Sequence, residues 1–541
     1  MIANKIKIEI NGNTIIDNVS FKLNKGEKVG LVGKNGSGKS TLLKFLSNIS
    51  NKDNVKTDGE TISYLKQEIE ERYYEYTILD YIRKVTGIEN LENELNLLSS
   101  NLTEDKLELY NKVYNEFISL DGYNFESNLE IIKNGLNLRE TLSTKIKTLS
   151  GGEKIKVLLM EMLLQNKDIM LLDEPTNNLD TEAIVWLEKY LKKSSKKMII
   201  VSHDEIFLNN IVNRVFELDK GKIKEYNMTY NNYLITKENE YIREKDEYSK
   251  AKEETEKLKN ELEKAKRWVN SGNSKRAHND NDKIANNYAR ERTNTGNVKR
   301  ITRNLDRLNI PHFEERKPID IFFSFNEDKG NKDIILNNVI CGYENFKTFP
   351  INLTIPFGTK LQIKGFNGSG KSTLIKTILG ELKPISGEMI TGSKIKMGYI
   401  SQNTLLESNK SLIEYLTENL EEINYGYIFT LLEKLNISYE DKDKIYSKLS
   451  PGERTRVAIA KLALLKTNVL ILDEVTNHLD KEALELIYEL IRAYEGTIIS
   501  ISHNRKYNEV LNPDISLDMT TGIVEDLKWF KWMWQAIIWN C

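Results

Sequence analysis

The chain has 541 residues, with 78 Lys and Arg against 80 Asp and Glu and with 39% hydrophobic residues. At roughly 150 residues per domain this predicts three to four domains, and the composition excludes a disordered or fibrous chain. A net charge of -2 argues against uniform coating of a polyanion, so a basic patch must be sought locally. The opening MIANKIKIEI lacks the basic-then-apolar pattern of a signal peptide, and no run of about 18 apolar residues occurs. Only two cysteines, Cys341 and Cys541, are present, too few for a disulfide framework or a four-cysteine zinc site. A cytoplasmic protein without a membrane domain is expected.

In chain order, an apolar strand at 29–32 leads into Gly33-Lys34-Asn35-Gly36-Ser37-Gly38-Lys39-Ser40-Thr41 and then a helix at 42–46. This GxxxxGK[ST] loop turns backbone N–H groups toward phosphates at a helix N-terminus. Its lysine reaches the β/γ oxygens and its serine hydroxyl holds Mg²⁺. Residues 88–125 read as a helical hairpin, 91–98 and 106–120. Leu149-Ser150-Gly151-Gly152-Glu153 follows, then the apolar run Ile169-Met170-Leu171-Leu172 ending in Asp173-Glu174, and a Val-Ser strand end before His203.

A charged segment, about 230–311, separates this half from a second. Leu234, Tyr241, Tyr248, Thr255, Leu262 and Val269 recur every seven residues, which predicts a long coiled-coil-like helix. Asn270-Ser271-Gly272-Asn273-Ser274 is the expected turn, and Ile284, Tyr288, Val298, Ile301, Leu305 and Leu308 form the expected returning limb. A limb of about 35 residues would reach roughly 50 Å. Residues 264–310 hold 12 Lys and Arg against 4 Asp and Glu. That net charge, with Lys264, Lys266, Arg267, Lys275, Arg276, Arg300 and Arg303 near Trp268 and His278, predicts contact with nucleic acid.

The second half repeats the first: Gly365-Phe366-Asn367-Gly368-Ser369-Gly370-Lys371-Ser372-Thr373, then Leu449-Ser450-Pro451-Gly452-Glu453, then Val469-Leu470-Ile471-Leu472-Asp473-Glu474, then His503. Ser150 to Glu174 and Ser450 to Glu474 have the same separation, as do Glu174 to His203 and Glu474 to His503. Gln67 to Ser150 is longer than Gln402 to Ser450 by about 35 residues, which is the hairpin insertion. Residues 527–541 carry Trp529, Trp532, Trp534 and Trp539; either they pack on the second half or they form an interfacial or partner-binding peptide.

LSGGE, LLDEPTNNLD and VSHD, with LSPGE, ILDEVTNHLD and ISHN, resemble the ATP-binding cassette family. The charged linker and absent membrane domain resemble its ABC-F branch, whose members act on ribosomes. The resemblance implies an α/β fold: two P-loop ATP-binding cassette domains, 1–228 and 312–526, joined by a long α-helical hairpin linker, 229–311, with the tail at 527–541. It implies ATP and Mg²⁺ as cofactors, with the Mg²⁺ near Ser40, Gln67 and Asp173 in one site and Ser372, Gln402 and Asp473 in the other. A buried strand ending in Asp-Glu delivers two carboxylates to the edge of a parallel sheet. Glu174 and Glu474 would orient or deprotonate the attacking water, and His203 and His503 would contact the γ-phosphate. Ser150 with Gly152, and Ser450 with Gly452, would each cap the nucleotide held by the other half, within a monomer. Tyr343 lies where cassettes place an aromatic against adenine, whereas the first half has Ile10. The short arm and long linker resemble the antibiotic-resistance group, which protects the large subunit, through its rRNA and P-site tRNA, from pleuromutilin, lincosamide and streptogramin A drugs. A housekeeping translation factor is the alternative, and the ATPase subunit of a drug exporter a further one.

Overall fold

The structure is a computed structural model. It describes residues 1–34, 36–48, 54–100, 103–274, 296–306, 308, 313, 333–343, 346–366, 368–401, 409–420, 422–435, 437, 439–449, 451–476, 479 and 481–528. It divides into two compact units, Met1–Tyr230 with Ile319–Cys541, and Asn231–Pro318.

The first unit contains the same α/β arrangement twice. In the first half a six-stranded sheet runs in the order Ile62–Tyr64, Ile169–Asp173, Lys197–Val201, Lys28–Val32, Arg214–Asp219, Lys222–Tyr226. In the second the order is Met397–Ser401, Val469–Asp473, Thr497–Ile501, Lys360–Lys364, Ile515–Asp518, Val524–Asp526. All pairings are parallel except the last of each sheet. The central strands Ile169–Asp173 and Val469–Asp473 are buried at every residue, as uninterrupted apolar runs in parallel sheets must be. Asp173 pairs with Val201 and Asp473 with Ile501, so each Asp-Glu step leaves the sheet beside the strand that leads to a histidine. A three-stranded antiparallel sheet accompanies each half, with Ile2–Ile10 central in one and Ile334–Ile340 central in the other.

The helix Gly151–Leu164 is buried continuously from Lys156 to Leu164. Its sequence is apolar nearly all round, which suits a helix enclosed by sheet and neighbouring helices. The insertion is the pair of helices Ile88–Ser100 and Glu104–Ser119, with Phe117 and Tyr123 rings packed edge to face at 5.1 Å. No helix among the described residues is long and apolar enough to cross a membrane.

In the second unit the helix Tyr230–Ser274 spans 45 residues, about 68 Å at 1.5 Å per residue. The turn expected at 270–274 is therefore corrected: those residues continue the helix. Asn, Ser and Gly there cost only up to about 1 kcal/mol each against Ala, and extending a formed helix adds a hydrogen bond per residue. Residues 296–306 are helical, and the Phe313 ring lies 5.3 Å from Tyr241 and 5.4 Å from Tyr248. The heptad tyrosines thus receive the returning chain. Thr255 and Ile301 are also buried. The expected tip residues Lys275, Arg276 and His278, with Ile284 and Tyr288, lie outside the described residues, as do 529–541.

Candidate active site

Each phosphate loop ends in a left-handed glycine that starts a helix. Gly38 has φ 100° and precedes Lys39–Ser47; Gly370 has φ 93° and precedes Lys371–Ile378. A Cβ would sit 2.7 Å from Ile15 Cγ2 at the first and 2.8 Å from Thr348 Cγ2 at the second, so both conformation and space require glycine. Lys39 Nζ donates to Gly33 O at 2.8 Å and Lys34 O at 3.0 Å. Lys371 Nζ donates to Gly365 O and Phe366 O, both at 2.8 Å. Each ammonium thus lies folded against the backbone carbonyls of its own loop, and burial lowers the Lys371 pKa.

The carboxylates stand beside these lysines. Tyr64 Oη donates to Asp173 Oδ2 at 3.5 Å, and Tyr399 Oη to Asp473 Oδ2 at 3.4 Å. Asp473 also takes a bond from Ser372, yet its Oδ1 is buried without a protein hydrogen-bond partner. A carboxylate oxygen and a serine hydroxyl at one spot form the hard, all-oxygen donor set that suits Mg²⁺. Residues Ser372 and Asp473, and by repeat Ser40 and Asp173, fit that ion.

Glu174 and Glu474 both adopt positive φ, 51° and 50°, costing about 1–3 kcal/mol each. The surrounding ladder holds them there: Glu174 N donates to Val201 O and Glu474 N to Ile501 O, each at 2.9 Å. The kink turns each glutamate out of the sheet. His203 N donates to Glu174 Oε2 at 3.2 Å, and His203 Nε2 lies 3.4 Å from Oε1. Burial raises Glu174 from 4.5 to about 7. The second site differs. His503 Nε2 is buried without a protein hydrogen-bond partner, and burial, followed by the Lys371 charge, pushes the imidazole down to about 4. It is neutral at pH 7.

One cavity of about 50 Å³ joins these groups. Glu174, His203, Glu474 and His503 all line it, with Thr176 and Thr476. Those threonines brace the strand ends, Thr176 Oγ1 at 3.0 Å from Ser202 Oγ and Thr476 Oγ1 at 3.2 Å from Ser502 Oγ.

The glycine signatures start helices. Ser150 caps Gly151–Leu164 through a reciprocal box with Glu153. Pro451 is the first residue of Pro451–Leu464, where a missing N–H costs the helix no bond and the fixed φ suits the first turn. Gly152 and Gly452 lie in the first turns of these helices. Between the halves, the Arg139 guanidinium covers the Phe366 ring at 4.2 Å, so the loop bearing Lys371 faces the side of the first half that leads to Ser150. The charges of Asp180 and Lys156 act on both Lys371 and His503.

Of the other residues expected at the sites, Gln67 is exposed just beyond Ile62–Tyr64. Tyr343 is half-exposed in the short strand Gly342–Tyr343, and Ile10 is exposed at the end of Ile2–Ile10. Asn35, Asn367, Gln402 and Ser450 lie outside the described residues. Sequence reasoning missed Tyr64 and Tyr399, although each stands three positions before its glutamine. It also missed the buried Lys156–Asp180 pair, whose Nζ and Oδ2 are 3.4 Å apart. Asp180 ends the LLDEPTNNLD motif, but nothing in the sequence signals its partner, because Lys156 lies within a mostly apolar helix.

Residues 16–177 and 349–477 match the ABC transporter family. The chain is 30% identical over 94% of its length to the uncharacterized ABC transporter ATP-binding protein YfmM of Bacillus subtilis, covering 94% of that protein. It is 30% identical over 92% of its length to ABC transporter F family member 2 of Arabidopsis thaliana, covering 73% of that protein. Among solved structures, the complex of archaeal ribosomal stalk protein aP1 with the ribosome recycling factor aABCE1 superposes with a TM-score of 0.56. That match has 19% identity and covers 96% of this chain and 86% of that one.

Proposed function

The chain belongs to the ABC transporter ATP-binding family and carries two of its cassettes in tandem, and on that premise we propose an ATPase that binds ribosomes and leaves them on ATP hydrolysis. The observation that carries the ATPase reading is the shared cavity that gathers Glu174, His203, Glu474 and His503, with the Lys39 charge acting on Glu174 and the Glu474 charge on Lys371. Mg²⁺, when bound, would neutralise phosphate charge. Lys39 and Lys371 hold the β/γ oxygens, Glu174 and Glu474 take a proton from the attacking water, and His203 and His503 orient the terminal phosphate. Such chemistry is mostly positioning and charge stabilisation, which explains why strained backbone is retained at both glutamates.

The ribosome reading rests on the linker. Its segment 264–310 carries 12 basic and 4 acidic residues, the charge footprint of a nucleic-acid contact. F-family relatives, and a fold neighbour described as a ribosome recycling factor, point the same way. Within this reading the linker tip protects the large subunit from pleuromutilin, lincosamide and streptogramin A drugs by reaching its rRNA and displacing P-site tRNA. Replacing residues 268–280 with a short Gly-Ser turn is expected to leave basal ATPase nearly intact and to abolish drug rescue in purified translation. If rescue survives, the tip is a spacer and a housekeeping translation factor is the better account. Co-sedimentation with membranes instead of ribosomes would point to an exporter subunit.

The raised Glu174 pKa predicts a pH profile. A carboxyl raised to about 7 is increasingly protonated below that pH and its base form falls about tenfold per unit, so in Glu474→Gln, where Glu174 is the remaining base, phosphate release should rise about tenfold per pH unit up to about 7 and then level off. The stability sign is opposite. A carboxyl raised from 4.5 contributes stability that is complete below 4.5 and lost as pH rises through about 7. A flat rate profile between about pH 5.5 and 8.5 would remove Glu174 from the base role.

A further inference from the structure

From Glu174 and Glu474 onward the two cassettes run 300 positions apart, so equivalent residues can be compared directly. The helix Glu205–Ile211 of the first cassette and Arg505–Leu511 of the second meet where the cassettes touch. At matched positions their charges are opposed or absent: Asp204 against Asn504, Glu205 against Arg505, and Glu188 against Tyr488.

These residues pair across the boundary. Arg505 Nη1 donates to Glu188 Oε2 at 3.3 Å, while Nη2 donates to Glu188 Oε1 and, at 3.4 Å, to Asp204 Oδ2. Lys506 Nζ donates to Glu205 Oε2 at 2.6 Å. Asn210 Nδ2 adds a bond to Glu188 Oε2 at 3.1 Å. Glu188 and Asp204 are buried, and the Arg505 side chain is 18% exposed. A forked, largely desolvated arginine–carboxylate pair is far less screened than a surface ion pair.

Equivalent residues of the two cassettes, Glu174 and Glu474, His203 and His503, Asp204 and Asn504, line one cavity, and this symmetric approach gives the cluster a selective consequence. Two first cassettes from different chains, paired the same way, would set Glu205 against Glu188 and Asp204. Two second cassettes would set Arg505 against Tyr488 and Asn504, leaving a desolvated cation without a carboxylate. Only a first cassette against a second gives Arg505 its carboxylates; Lys506 also has Glu485 of its own cassette at 3.6 Å, so the discrimination falls on Arg505. We infer that the Glu188–Asp204–Arg505 cluster, with Glu205–Lys506, is an electrostatic key whose partner is the chain's other cassette. It rejects like cassettes of a second copy and holds together the segments that follow His203 and His503. Attractive contacts to the right partner and repulsive ones to the wrong partner together give such specificity.

The test uses the full chain carrying Arg505→Glu, Glu188→Arg, or both. Spin labels at exposed positions 44 and 376, with Cys541→Ser, report the cassette separation without requiring hydrolysis, so a failure of the key is distinguishable from a failure of the ATPase reading. Each single variant is expected to broaden the distance distribution and to raise KM for ATP about 30-fold or more, the scale of breaking one buried charge pair. The double variant is expected to restore a narrow distribution and a KM within about threefold of the parent, because Arg at 188 can meet both Glu at 505 and Asp204. Restoration also shows that the fold accepts both substitutions, so that the loss in each single variant comes from its unmatched charge. A double variant no better than the singles, or single variants that match the parent, overturns the proposal.

Discussion

Replacing both Glu174 and Glu474 by Gln is expected to lower ATP hydrolysis by about 10² or more while ATP still closes the cassettes. Gln keeps the side-chain shape, and its amide can still occupy the position beside His203, where one Glu174 oxygen accepts the backbone N–H at 3.2 Å. The loss is therefore of the base and not of the fold. The positive φ at both residues belongs to the backbone and is unchanged. Phosphate release measures the first effect, and nucleotide-dependent co-sedimentation with ribosomes measures the second. The variant should remain on ribosomes with ATP and inhibit translation. Release at the parent rate would show that hydrolysis does not drive dissociation.

The second large effect is structural. Lys156 and Asp180 are both buried; Lys156 Nζ donates to Asn137 O at 3.1 Å as well as facing Asp180 Oδ2. Asp180 in turn caps the helix Thr181–Lys193, accepting from Ala183 N at 3.0 Å. Lys156→Ala leaves a buried carboxylate without its cation, commonly about 3–5 kcal/mol. Amide exchange in residues 181–193 should accelerate by about 10²- to 10³-fold. Adding Asp180→Asn should recover most of the protection, because Asn caps a helix as well as Asp and carries no charge. Lys156→Ala should also impair the site of Lys371 more than that of Lys39, since the Lys156 charge acts on Lys371 and His503.

Much of the architecture was legible because it is written in local, repeated patterns. A buried parallel strand must be an apolar run, so 169–173 and 469–473 could be placed from composition alone, and a phosphate loop needs glycines at set spacing whatever surrounds it. The matched spacing to His203 and His503 then placed each histidine at the end of the neighbouring strand, where the sheet register puts it. The amphipathic hairpin at 88–125 and the heptad tyrosines of the linker were readable for the same reason. The turn at 270–274 was misplaced because turn residues bias the backbone by about 1 kcal/mol each, less than a long helix gains by continuing.

What only the tertiary structure decided is which side chains meet and how buried they are. His203 lies against a carboxylate, whereas His503 has a buried nitrogen without a protein partner; the repeat makes them look equivalent. Pro451 departs from the motif but falls at the first position of a helix, where its missing N–H costs no bond. Glu188 reads as one more solvated charge on an amphipathic helix, yet it lies beneath Arg505, 317 residues away. The sequence determines the elements and their register, because those depend on neighbours along the chain. Burial and long-range charge pairing depend on what the second cassette brings against the first, and these set the proton affinities and the pairing of the two sites.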